Sequence, residues 1–142
     1  LDQNLSTQNH AIGHTDQLEE DWLKIRRYNM ELLVRIMKRL ESVPEGEGSM
    51  MDNTLIVYTS DSASKQHSIG DRWPCLLLGN LGCTLHSGKF IHYPIAPRKG
   101  ARTVNGLFLT LLHALGDQRD NFNLPPALAR HEPAGPLTEL LA

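Results

Sequence analysis

The sequence predicts an α/β fold with a mostly parallel sheet, and three observations support this prediction. The apolar runs within 54–60 and 74–79 lack the polar alternation of strands that face water on one side. Such continuous runs are typical of strands buried on both faces of a parallel sheet. Helical periodicity precedes the first run at 16–42 and follows the second at 103–115. The resulting order of helix, strand, loop, strand and helix is typical of α/β proteins.

The size and composition of the chain are those of one ordinary globular domain. Its 142 residues are 40% hydrophobic and 21% charged, so the chain can bury a core. The net charge of -2 argues against a nucleic-acid binder, because such proteins concentrate Lys and Arg on one face. No apolar stretch approaches the ~20 residues of a membrane-spanning helix. The polar opening at 1–4 lacks Met, which indicates a longer protein.

Both predicted helices carry recognisable end signals. Asp16 and Glu19 form a capping-box pattern at the start of the first helix, and Thr15 is the other candidate cap. Pro44 ends this helix, and Gly116 ends the second. The apolar residues of the first helix recur at steps of three and four: Leu18, Trp22, Ile25, Leu32, Leu33, Ile36 and Leu40.

The remaining segments are predicted to be mostly irregular. Residues 44–49 form a turn-rich loop, and 61–72 form a polar loop between the two strands. A short edge strand is a candidate at 90–93, and a last turn at 138–141. Two or three strands are too few for a complete doubly wound sheet, so we expect the missing strands to come from elsewhere.

Asp61 is the first candidate for chemistry, because it follows the first predicted strand. Ligands of open α/β sheets bind beyond the carboxyl ends of the strands, and an aspartate at this position can point into that crevice. The alternative is a turn or capping role, since Asp is common at strand ends. His67 lies in the following loop, where it either returns to the same crevice or is a solvent-exposed histidine.

Two further histidines, His10 and His14, precede the first helix. Histidines at this spacing can share a metal ion where the backbone is helical or tightly turned, and the alternative is a pair of solvated loop residues. With His67 and Asp61 they would supply three imidazoles and a carboxylate. Three nitrogen ligands with an open fourth position are typical of catalytic zinc. The predicted cofactor is therefore a divalent metal, with zinc favoured by the donor set.

The remaining histidines and both cysteines are interpreted as structural residues. Cys75 lies in an apolar run, where a free thiol packs as a small hydrophobe. A bridge between Cys75 and Cys83 is the alternative. Four histidines are expected on the surface or in packing contacts: His86, His92, His113 and His131.

The order of these motifs resembles the C-terminal half of the alkaline phosphatase superfamily, which includes sulfatases, phosphodiesterases and cofactor-independent phosphoglycerate mutases. The resemblance covers nearly the whole chain, and 52–61 is its most specific part. Residues 45–116 are similar to exported bacterial proteins of unknown function on the same fold. The resemblance implies a three-layer alkaline phosphatase-like sandwich with a mostly parallel sheet, of which residues 1–142 would form the C-terminal part.

Residue by residue, the resemblance implies metal binding at three positions. Asp61 matches a strand-end aspartate that binds one metal, while His14 and His67 match histidines that bind the other. His10 stands where the family has Asp, which favours zinc over calcium. Ser62 stands where phosphatases have His and sulfatases have Asn, so the second metal site lacks a strong ligand.

The function implied by the resemblance is metal-dependent hydrolysis of phosphate or sulfate esters, in the periplasm or outside the cell. The family's nucleophile and first metal-binding aspartate belong to an N-terminal part of the same domain. That part is the expected partner and is not in this chain, so the chain alone is not expected to catalyse. The alternative function is a non-catalytic binding or structural module that retains the fold with a degenerate metal site.

Overall fold

Two helices and two short antiparallel sheets make up most of the regular structure in the computed structural model. It describes residue 12 and four longer stretches: 19–60, 71–95, 99–132 and 134–142. None of the helices in these stretches is both long enough and apolar enough to cross a membrane.

The first helix, α1, spans Glu19–Glu41 and confirms the predicted helix over its described part. Lys38 and Arg39 lie in its last turn, where positive charges interact favourably with the partial negative charge of the helix C-terminus. Ser42 N donates to the Lys38 carbonyl at 3.1 Å. The helix ends there because Pro44, two residues later, has no N–H with which to extend the hydrogen-bond pattern.

A short antiparallel ribbon follows α1, where the sequence predicts only a loop. Strand β1, Pro44–Glu45, pairs with β2, Gly48–Ser49. Gly46 lies between them with a φ of +57°, a left-handed conformation that glycine adopts without steric cost. Strands of two residues are too short to show a periodic pattern, so this ribbon is not predictable from the sequence.

The second sheet consists of β3, Ile56–Thr59, and β4, Cys75–Leu78, which lie within the two predicted apolar runs. The two strands are antiparallel, with Ile56 opposite Leu78 and Thr59 opposite Cys75. Both sheets in the described stretches are two-stranded and antiparallel, and no parallel sheet occurs there. The predicted α/β fold with a mostly parallel sheet is therefore wrong, as is the alkaline phosphatase-like three-layer sandwich.

The error concerns strand direction, which the apolar runs could not determine. Thr59 and Pro74 are 15 residues apart, and a separation of a dozen or more residues also suffices for a parallel crossover. Hydrogen bonds at the strand ends decide the direction. Thr59 Oγ1 donates to the Pro74 carbonyl at 2.8 Å, and Trp73 Nε1 donates to the Ser60 carbonyl at 3.0 Å. These bonds bring the end of β3 to the start of β4, which requires antiparallel strands.

The second helix, α2, spans Val104–Ala114 and confirms the helix predicted at 103–115. Gly116 follows its C-terminus with a φ of +94°, as expected for a glycine that ends a helix. Gly116 N donates to the His113 carbonyl at 3.0 Å. Leu109, on the inner side of α2, is fully buried.

The C-terminal strap, defined here as residues 134–142, packs across α2 and reaches the loop after β4. Leu137 is buried, and its backbone N donates to Thr110 Oγ1 at 2.7 Å. Leu85 and Leu141 then form an isolated antiparallel bridge. The strap thus covers the inner side of α2 and joins it to the chain that follows the second sheet.

The rest of the C-terminal region contains two 3₁₀ helices, Pro126–His131 and Thr138–Leu140. The second matches the last turn predicted at 138–141. The edge strand predicted at 90–93 is wrong, because these residues form no strand and Phe90 is 94% exposed.

The buried apolar side chains of the described stretches are few, and more than half of them lie around α2 and the strap. Asp21 and Thr110 are the buried polar residues there. The apolar set consists of Ile12, Leu33, Met51, Leu85, Leu107, Leu109 and Leu137.

Candidate functional site

The predicted site residues lie outside the stretches that the structure describes: His10, His14, Asp61, His67 and Ser62. The structure nevertheless describes residues beside each segment that carries them. Ile12 lies between the first two predicted ligands, and Ser60 and Asp71 flank the segment that carries the other two. The contacts of these flanking residues show where the two segments begin and end.

Side-chain hydrogen bonds tie together the two ends of segment 61–70. Trp73 Nε1 donates to Thr59 Oγ1 and to the Ser60 carbonyl, at 3.0 Å in both cases. Thr59 Oγ1 in turn donates to the Pro74 carbonyl at 2.8 Å. The segment therefore leaves and re-enters the sheet at the same end of the hairpin. Loops that bind ligands are commonly positioned in this way, by a rigid base.

Helix α1 contacts residues next to both segments that carry the predicted ligands. Trp22 Nε1 donates to the Ile12 carbonyl at 3.0 Å, and Asn29 Nδ2 donates to the Tyr58 hydroxyl at 3.2 Å. Residues seven apart share one face of a helix, so Trp22 and Asn29 point to the same side of α1. At 1.5 Å per residue, their Cα atoms are separated by about 10 Å.

Through the hydrogen bonds of Trp22 and Asn29, Ile12 and Tyr58 both contact α1, although they are distant in sequence. Ile12 is almost completely buried, so its carbonyl accepts the Trp22 hydrogen bond at a position that is shielded from solvent. The Arg26 guanidinium lies 5.1 Å from the centre of the Trp22 ring, a cation–π contact that restrains the indole. The arrangement brings Ile12 and Tyr58 to one face of α1.

Among the residues that the structure describes, no group of three or more His, Cys, Asp or Glu side chains could hold a metal ion. His113 Nε2 lies 2.7 Å from the Arg119 carbonyl oxygen, and Arg130 Nε donates to His131 Nε2 at 3.0 Å. Both of these histidines thus have hydrogen-bonding partners within the C-terminal region.

Both cysteines are free thiols, and both are exposed. The bridge that the sequence left open as an alternative is therefore absent, and Cys75 is not packed as a buried hydrophobe. Cys75 opens β4, whereas Cys83 lies beyond the far end of that strand. A four-residue strand is about 10 Å long, which exceeds the Cα separation of ~7 Å that a disulfide permits.

A polar cluster at the C-terminal strap was not predicted. The Tyr93 hydroxyl donates to Glu139 Oε1 at 2.5 Å, and Lys89 Nζ donates to the Glu139 carbonyl at 2.9 Å. Burial, and then the hydrogen bond to Glu139, raise the pKa of Tyr93. The hydrogen bond from Tyr93 lowers the pKa of Glu139. The cluster fastens the strap, and no local sequence pattern signals a pair that is 46 residues apart.

No family model matches the chain, and no curated protein and no solved structure matches it either.

Proposed function

We propose that this chain supplies the ligands of a divalent metal ion, preferably zinc, to a hydrolase of phosphate or sulfate esters. The proposed ligands are His10, His14, Asp61 and His67. The observation that supports the proposal is the contact of α1 with residues beside both ligand-bearing segments, made by Trp22 and Asn29.

The donor set suits zinc chemically. Imidazole nitrogens and a carboxylate oxygen are common Zn²⁺ ligands. Bound zinc polarises a substrate oxygen and lowers the pKa of a bound water to about 7. The imidazoles must be neutral in order to bind the metal. We therefore expect zinc affinity to fall as the pH drops below about 6.5, the ordinary pKa of histidine.

The proposed hydrolase is completed by the N-terminal part of the same domain, which would supply the nucleophile and a further metal-binding aspartate. This partner, and a location in the periplasm or outside the cell, are proposed from the sequence resemblance of 52–61 alone, since the described residues do not form that superfamily's parallel sheet. In this arrangement the role of the present chain is to hold and orient the metal.

Calorimetric titration of the chain with zinc tests the ligand assignment. We expect one zinc ion per chain, held by the four residues as a single site and not divided between two metals as the resemblance implies, and we expect binding to be lost in His14→Ala and in Asp61→Ala. His92→Ala is the matched control, because His92 is an exposed histidine outside the proposed ligand set, and it should bind zinc as the unaltered chain does. A chain that binds no zinc, or binding that survives both ligand substitutions, would contradict the proposal.

Trp22→Phe tests the contribution of α1 separately from the ligands. It keeps an aromatic ring near Arg26 but removes the N–H that donates to the Ile12 carbonyl. Losing a group that orients a metal ligand typically weakens metal binding by about 10–100-fold. Trp22 contacts the backbone between two proposed ligands and not a ligand itself, so we expect zinc binding to weaken by up to about tenfold, with an unchanged stoichiometry. Leu23→Ala, at an exposed position of α1, is the control, and equal affinities in the two variants would show that α1 does not position the ligands.

A second candidate function is a non-catalytic binding module with a degenerate metal site, and Ser62 favours it. A serine hydroxyl is not among the usual zinc ligands, so a second metal would bind weakly. Activity of the complete domain toward aryl phosphates and aryl sulfates separates the two functions. Hydrolysis that disappears in Asp61→Ala would support the enzyme, whereas a folded domain without hydrolysis would support the binding module.

A further inference from the structure

Trp73 makes a hydrogen bond beyond the last residue pair of the second sheet. The pairing of β3 with β4 ends with Thr59 opposite Cys75. Ser60 follows β3, and its carbonyl accepts a hydrogen bond from Trp73 Nε1 at 3.0 Å. The same N–H donates to Thr59 Oγ1, also at 3.0 Å. The indole therefore restrains the backbone one residue farther than the strand pairing does.

The hydrogen bond to Ser60 is not needed to hold the two strands together. The pairing of β3 with β4 does so already, and Thr59 Oγ1 adds a bond to the Pro74 carbonyl at 2.8 Å. The Ser60 carbonyl belongs instead to the peptide bond that joins Ser60 to Asp61. Because a peptide bond is planar, restraining this carbonyl also restrains the direction in which the chain continues to Asp61.

The backbone directly before Trp73 has an uncommon conformation. Arg72 has a φ of +51°, which lies in the left-handed region that residues with a side chain rarely adopt. Such conformations persist where the surrounding contacts hold them, and they cluster at sites that bind ligands. The two hydrogen bonds of Trp73 Nε1 connect the residue after Arg72 to the end of β3, so they help to hold this conformation.

We propose that Trp73 is a positioning residue for the metal ion, and that it acts by orienting the peptide bond between Ser60 and Asp61. This inference rests on the proposed function, in which Asp61 is a metal ligand. A carboxylate oxygen binds zinc at about 2.0–2.2 Å, so a small change in backbone direction weakens the bond. Groups that orient a ligand through hydrogen bonds contribute to metal affinity without touching the metal.

Trp73→Phe tests this role, because it removes the indole N–H and keeps an aromatic ring. By calorimetric titration, we expect zinc affinity to fall by up to about tenfold with an unchanged stoichiometry. Thr59→Val is the matched control, since it removes the bonds of Thr59 Oγ1 to Trp73 and Pro74 but leaves the acceptor at Ser60. It should bind zinc as the unaltered chain does. Equal zinc affinities in the two variants would overturn the proposal, because Trp73 would then do no more than stabilise the hairpin.

Nuclear magnetic resonance tests the same role in the unaltered chain, so the result does not depend on the folding of Trp73→Phe. The chain has two tryptophans, and Trp22→Phe assigns their indole N–H signals by removing one. We expect the Trp73 signal to shift in proportion to zinc occupancy, because its acceptor is the carbonyl that precedes Asp61. A Trp73 signal that stays unchanged while zinc binds would refute the positioning role and leave the ligand assignment intact. A chain that binds no zinc would instead refute the proposed function, and this inference with it.

Discussion

At the scale of single residues, Thr110 connects α2 to the C-terminal strap. Its side chain is fully buried. Thr110 Oγ1 accepts a hydrogen bond from Leu137 N at 2.7 Å and donates to the Gly106 carbonyl at 2.8 Å. Because a buried amide without an acceptor is costly, this one hydroxyl allows the strap to lie directly on the helix.

Thr110→Val should lower the free energy of unfolding by about 1–3 kcal/mol, because the buried Leu137 N–H loses its acceptor while the side-chain shape is nearly kept. Urea denaturation followed by circular dichroism measures the change. Thr103→Val is the control, since Thr103 is exposed and its side chain makes no capping hydrogen bond. We expect it to change stability by less than about 0.5 kcal/mol. Equal losses in the two variants would contradict the role assigned to Thr110.

The hydrogen bond between Tyr93 and Glu139 makes the stability of the strap depend on pH in both directions. The pKa of Glu139 lies below its ordinary value of 4.5, so its contribution is present above pH 4.5 and is lost as the pH falls through the lowered pKa. The pKa of Tyr93 lies above its ordinary value of 10.0. Its contribution is therefore complete below pH 10.0 and is lost as the pH rises through the raised pKa.

Tyr93→Phe removes both contributions by deleting the hydroxyl. The difference in thermal midpoint between the unaltered chain and this variant should therefore be largest between pH 4.5 and pH 10.0, and should shrink on either side. Tyr28→Phe, on α1, is the control and should show no such window. A difference for Tyr93→Phe that stays constant into strong acid would argue against the hydrogen bond to Glu139.

At the scale of elements, each antiparallel sheet has a glycine with a positive φ next to one of its strands, but the surroundings of the two glycines differ. Gly79 follows β4 with a φ of +97°, and a Cβ there would lie 2.2 Å from the Thr54 carbonyl oxygen. Gly46 turns the chain between β1 and β2 with a φ of +57°, and nothing lies within 4 Å of its Cβ position. The two positions share backbone strain, but only Gly79 also has a close backbone neighbour.

Gly79→Ala should therefore cost more stability than Gly46→Ala, which serves as its control. A left-handed backbone costs an L residue about 1–2 kcal/mol, and this is the loss we expect for Gly46→Ala. Gly79→Ala must in addition displace the backbone at Thr54, so we expect a loss of roughly 3 kcal/mol or more. Thermal and urea denaturation give both values. Similar losses would show that the chain near Thr54 moves away at little cost.

The helices and strands were predictable to different degrees. Helical periodicity located α1 and α2 within a few residues, and Gly116 marked the end of α2 as predicted. The apolar runs located β3 and β4 but not their direction, because the hydrogen bonds of Thr59 and Trp73 that set it join residues distant in sequence. The candidate ligands were predicted from residue type and spacing, whereas the contacts of Trp22 and Asn29 were not predictable from either.

At the scale of the whole molecule, the arrangement of the elements leaves apolar surface exposed. α2 contains no Asp, Glu, Lys or Arg, and helices that are apolar all round are usually buried. The strap covers its inner side, but Phe108 is 47% exposed and Leu115, just beyond the helix, is 68% exposed. The chain has an ordinary hydrophobic fraction of 40%. The exposed apolar surface of α2 therefore results from the packing of the elements and not from an excess of apolar residues.

The sequence by itself determined where the helices lie, where the two apolar strands lie and which residues are candidate metal ligands. These properties are local, since periodicity, capping and residue spacing act over a few neighbouring positions. Only the tertiary structure decided that β3 and β4 are antiparallel, that the strap covers α2 and that α1 contacts Ile12 and Tyr58. Each of these depends on hydrogen bonds and burial between residues far apart in the chain, such as Thr110 with Leu137 and Asn29 with Tyr58.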